Sequence, residues 1–178
     1  YLDAVFNPLL TEDFFQQEGW HYFLENASDP LIYKGVVYNE MKGVYSSAES
    51  LLMERTQQSL FPDTTYGLDS GGDPDHIPQL TYEEFKQFHA DYYHPSNARI
   101  IFYGDDPEDK RLELIRPYLD AFQGMKDTPL IEKQTPFTTA VHQMHSYATS
   151  ANDSNAKSMF TTSWVLPSPL DNQTLYTF

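Results

Sequence analysis

Glu40 stands in the middle of Gly35-Val36-Val37-Tyr38-Asn39-Glu40-Met41-Lys42-Gly43, a run that spells a helix carrying one carboxylate among apolar neighbours. At the helical repeat, Val36, Val37, Met41 and Val44 share a stripe with Glu40. A buried, unpaired carboxylate costs several kcal/mol or gives up its charge, so glutamate is seldom buried without a partner. The pattern therefore predicts a cation against Glu40. A small rotation of the helix would instead set Glu40 at the edge of the stripe, in water, which is the ordinary place of a helical glutamate.

Other residues of chemical interest read as structure. His142 and His145 have an i, i+3 spacing, but on a strand this puts the two rings on opposite faces, so they are not expected to share a metal. His89 and His94 fall at the end of an expected helix, where an imidazolium would complement the helix dipole. Ser70-Gly71-Gly72-Asp73-Pro74 lacks the lysine and following helix of a phosphate loop and reads as turn geometry. The chain has no cysteine, which rules out disulfides and thiolate chemistry and suits a reducing compartment.

The 178 residues carry 26 Asp+Glu against 11 Lys+Arg, a formal charge of −15. Such a balance disfavours nucleic acid and anionic membrane surfaces and favours basic ligands. With 40% hydrophobic and 15% aromatic residues the chain can bury one ordinary core and part of another. No window approaches the ~20 apolar residues of a membrane span, and no signal or transit peptide is visible.

The elements that must position these groups follow from periodicity and punctuation. Leu2, Val5, Phe6 and Leu9 predict a short amphipathic helix, and 13–20 another helical turn or two, with a strand over 21–25. The Glu40 helix follows 31–34. A second helix restarts at Ser46-Ser47-Ala48-Glu49 and runs toward Phe61-Pro62, and 64–75 is a loop rich in Gly and Asp. Thr81-Tyr82-Glu83-Glu84 is a capping box at the head of a helix of about 13 residues stopped by His94-Pro95. Ala98-Arg99-Ile100-Ile101-Phe102-Tyr103 predicts a buried strand, after which Asp105 or Asp106 caps a helix through Leu112, Ile115, Leu119 and Phe122. Periodicity disappears over 123–136, a linker. Two strand-like runs, 137–149 and 157–166, flank a polar turn over 150–155, and Asp171 reads as an N-cap. This order predicts an α/β (α+β) sandwich with helices packed on a largely antiparallel sheet.

Five stretches occur in a telling order: Tyr1-Leu2-Asp3-Ala4, Gln17-Glu18-Gly19-Trp20, Lys34 to Gly43, Ser70 to Pro74, and Tyr93-His94-Pro95-Ser96-Asn97-Ala98-Arg99. Together they resemble the presequence protease branch of the pitrilysin-type zinc metallopeptidases, across about 1–122 and fading beyond. The resemblance implies a pitrilysin-type domain, with 1–122 the C-terminal portion of a zinc-binding domain, 123–136 a linker and 137–178 the opening of a second homologous domain. It also implies zinc as cofactor, held by two histidines of a His-x-x-Glu-His helix and a glutamate of an Asn-Glu-Met-Lys-Gly helix. The matching metal ligand here is Glu40, and Asn39 beside it would orient the ligand or touch a substrate backbone.

The chain departs from that pattern in one respect: none of its six histidines (His21, His76, His89, His94, His142, His145) lies in a His-x-x-Glu-His. The chain accordingly reads as an internal fragment, with no catalytic residue of its own and expected to be inactive in isolation. By the same resemblance the parent is a monomeric zinc metalloendopeptidase degrading cleaved presequences, transit peptides and other short, often basic peptides. It would work in the mitochondrial matrix or chloroplast stroma, with the bacterial cytoplasm as the alternative compartment. The competing expectation is a non-catalytic pitrilysin-like scaffold or peptide-binding subunit.

Overall fold

Short-range signals set most of the helices. The computed structural model describes residues 1–127, 130–149 and 158–166, and its regular elements run in the order α1 (Leu2–Phe6), α2 (Glu12–Phe14), β1 (His21–Phe23), β2 (Ile32–Lys34), α3 (Val36–Val44), α4 (Ala48–Leu60), α5 (Tyr82–Tyr92) and α6 (Glu108–Leu119). The capping box at α5 is formed as expected: the Glu84 amide donates to the Thr81 hydroxyl, and the Glu84 carboxylate accepts from the Thr81 amide at 2.8 Å. Ser47 caps α4 through its hydroxyl, at the break the sequence marked. The expected helix over 13–20 becomes α2 followed by a π-helical turn over Phe15–Gly19.

By contacts the chain divides into two units, Tyr1–Tyr38 with Asp75–Leu130, and Asn39–Pro74 with Ile131–Phe178. In the first, α1 packs against α6, and Phe6, Ile77, Ile115 and His94 are buried. Phe122 meets Phe6 edge-on at 5.2 Å and His94 at 5.2 Å. The strands β1 and β2 pair antiparallel with Tyr22 opposite Tyr33, and Trp20 sets its edge against both rings. Just after β2, a Cβ on Gly35 would run into the backbone of Gly19 and lie 2.8 Å from the Trp20 Cα, so two of the five sequence stretches meet where only glycine fits.

In the second unit α4 packs on a 3-10 turn over Thr65–Gly67, with the Gln57 amide donating to the Tyr66 carbonyl at 2.8 Å. Gln134 is tied to Asp63 by two hydrogen bonds, one accepting the Asp63 amide at 3.1 Å and one donating to its carboxylate at 2.7 Å.

Two expectations are corrected. The two-stranded β1–β2 sheet is the only sheet among the described residues; 98–103, 137–149 and 158–166 form no strand, and Ile101 and Tyr103 are 88% and 102% exposed. A strand exists by pairing with a neighbour, and among the described residues these β-prone runs have none. What holds of the fold class is its coarse form, helices with a small antiparallel sheet. Neither Asp105 nor Asp106 caps α6: Pro107 is the N-cap, and Asp106 instead forms a two-pronged ion pair with Arg111 at 2.6 and 2.7 Å. The guanidinium holds the Asp106 carboxyl below its usual range. The turn at 150–155, Lys157 and the Asp171 cap lie outside the described residues.

Candidate metal-ligand site

The α3 helix begins directly after Gly35, as expected, and Met41 is its one buried side chain. Glu40 and Asn39 are exposed. Val36, Val37 and Val44 are also exposed, Val36 to 53%, so the apolar stripe that was to bury Glu40 faces water. What is corrected is the burial from which a cation against Glu40 was expected. A solvated carboxylate carries no desolvation penalty that a partner must offset, and none stands beside it among the described residues.

Glu40 thus presents an unpaired carboxylate on a regular helix, and it fits the part of one oxygen ligand to a hard or borderline cation such as zinc. Among the described residues no three His, Cys, Asp or Glu side chains gather into a metal-holding set. The described part of the chain therefore fits a single ligand of such a site, with the remaining donors not supplied by it.

The histidines take other work. His89 donates from Nε2 to the Val5 carbonyl at 2.9 Å and stacks on Tyr93 at 4.4 Å. His94 is buried, and its Nδ1 accepts the Ser96 amide at 3.1 Å, capping a 3-10 turn over Pro95–Asn97. The His94 side chain thus caps the turn that follows the helix. His145 meets the Gln143 side chain at 3.0 Å.

Sequence reasoning missed Tyr45 and Asp69. Tyr45 follows α3, one turn beyond Met41, with its amide on the Met41 carbonyl at 2.9 Å. Its hydroxyl and the Asp69 Oδ2 are buried without a hydrogen-bond partner. Burial, then the Asp69 carboxylate, push the Tyr45 hydroxyl well above the usual tyrosine value. Glu54 on α4 is raised as well, by burial first and the Asp69 charge second, with Arg55 opposing. The i, i+4 spacing of Met41 and Tyr45 was the available signal, but it names no partner.

Comparison with known proteins gives this arrangement its class. The model of the family described as "Peptidase M16 inactive domain" matches residues 79–178. Presequence protease 1, chloroplastic/mitochondrial, of Arabidopsis thaliana is 50% identical over 180 residues, covering 98% of this chain and 17% of that protein. Protein HypA of Clostridium perfringens is 45% identical over 177 residues (97% of this chain, 18% of that protein). Presequence protease, mitochondrial, of Mus musculus is 47% identical over 138 residues (75% and 13%). The chain belongs to the peptidase M16 family, and its similarity runs to the presequence protease branch. It spans about a sixth of the length of the Arabidopsis and Clostridium relatives.

Proposed function

We propose that this chain is part of a zinc metallo-oligopeptidase that degrades cleaved presequences, transit peptides and other short unstructured peptides, with Glu40 as the third protein ligand of the metal. The observation that carries the proposal is the exposed, unpaired Glu40 carboxylate on α3, inside a chain 50% identical to a presequence protease over nearly its whole length. When bound, zinc supplies a Lewis acid and an acidified water at neutral pH. Within this chain, Glu40 holds one metal position, α3 fixes its direction, and Asn39 beside it is likewise exposed, where it orients the ligand or meets a peptide backbone. The general base and the other ligands come from outside the described residues.

The charge of −15 suits the substrate class. Targeting peptides are rich in arginine and poor in acids, and an acidic surface raises their local concentration and capture rate. The mitochondrial and chloroplastic names of the relatives support a matrix or stromal location for the parent. We assign the parent a monomeric chain, with 1–122 the end of the metal-binding domain, 123–136 a linker and 137–178 the start of a second domain. In that setting 98–103 and 137–149 join a largely antiparallel sheet once neighbouring strands are present. The isolated 178 residues neither hold zinc tightly nor cleave peptides, because one carboxylate is not a site.

The test is Glu40→Gln in the polypeptide that carries this chain, followed by metal analysis and hydrolysis of an arginine-rich presequence peptide. Loss of both zinc and hydrolysis supports the proposal. The second reading, a non-catalytic scaffold or peptide-binding subunit, is favoured by the match of 79–178 to a domain described as inactive. On that reading the substitution leaves metal content and peptide binding unchanged.

A further inference from the structure

The carboxylate at position 40 has the direction that α3 gives it, and α3 has one buried side chain to fix its rotation, Met41. Against the end of Met41 lies the turn over 69–72. The turn is internally built: the Asp69 Oδ1 accepts the Gly71 amide at 2.8 Å, the Asp69 carbonyl accepts the Gly72 amide at 3.1 Å, and Gly72 has φ +91°. Gly71 lies so close that a Cβ there would stand 2.9 Å from the Met41 Cε and nearer still to the Sδ. The other oxygen of Asp69 and the Tyr45 hydroxyl are buried without a partner, and the Asp69 charge acts on Tyr45. They are a matched acceptor and donor, and both are buried beside the end of α3.

We propose that Gly71 and Asp69 are positioning residues for Glu40: the 69–72 turn clamps Met41 and the Met41–Tyr45 turn, and so sets the angle at which the adjacent Glu40 carboxylate leaves α3. The inference rests on the reading of Glu40 as a metal ligand. Met41 and Glu40 are consecutive, about 100° apart around the helix, so any roll of α3 that frees Met41 carries Glu40 with it. A Cβ at position 71 displaces the thioether end of Met41, and with it the buried contact that holds α3 at its present roll.

The experiment uses the polypeptide that carries this chain, with zinc affinity read by chelator competition and α3 amide exchange read in the metal-free protein. Gly71→Ala is expected to weaken zinc roughly ten- to a hundredfold, the range typical of residues that orient a ligand, and to speed exchange over residues 40–45. Met41→Leu in the same chain, one atom shorter and still apolar, makes room for the new Cβ and restores most of both. Met41→Ala alone removes the clamped group without a clash and weakens zinc in the same way, which covers the case in which Gly71→Ala does not fold. Unchanged zinc affinity in Gly71→Ala or Met41→Ala, with Glu40→Gln abolishing it, overturns the positioning role and leaves the ligand in place. A loss in Gly71→Ala that Met41→Leu does not repair overturns it too. Zinc retained by Glu40→Gln removes the ligand itself, and this inference falls with it.

Discussion

The indole nitrogen of Trp20 donates to the carbonyl of Leu80 at 2.9 Å across sixty residues of sequence. The bond ties the residue before β1 to the residue before the N-cap of α5, and the same indole carries the two tyrosines of the hairpin on its edge. Trp20→Phe keeps most of the ring contact and removes the donor. It is expected to cost about 1 kcal/mol, the net worth of such a bond, read as a lower midpoint in urea unfolding followed by circular dichroism.

Phe122 closes the buried cluster of the first unit, edge-on to Phe6 and to His94. Phe122→Ala opens a cavity beside both rings and is expected to cost about 2–3 kcal/mol, below the full price of a deep core phenylalanine because the ring is half-exposed. Phe122→Leu recovers most of the loss. The measurement is the thermal midpoint of the three proteins side by side.

Glu84 gives the helix α5 a pH dependence. Its carboxyl is held below the usual range first by the Thr81 amide and then by the Thr81 hydroxyl. A depressed carboxyl contributes stability above its unfolded value, about 4.3, and loses that contribution as pH falls through the folded value. Glu84→Gln keeps a neutral acceptor and removes the titration. The variant is expected to be less stable than the parent chain at pH 7, with the difference closing below pH of about 4. Unfolding midpoints taken between pH 3 and 7 check this, and a difference that persists at the acid end contradicts it.

Sequence alone determined what depends on near neighbours. The Thr81 to Glu84 capping box, the Ser47 cap, the helix around Glu40 and the stop at His94-Pro95 are closed by bonds that span a few residues, so the chain carries their instructions locally. The family was legible for a related reason: five short stretches persist in order, and two of them prove to touch at Gly19 and Gly35. Tertiary structure decided the rest. Periodicity placed Glu40, Met41 and the valines on one stripe, but which member is buried depends on what packs there, and the fold buries Met41 beside Gly71 and leaves Glu40 in water. The run 98–103 has every property of a strand except a neighbour to pair with, and pairing is not encoded within the run itself. Asp106 offered a cap and was taken by Arg111, five residues on, whose guanidinium brings a full positive charge and two donors to the one carboxylate.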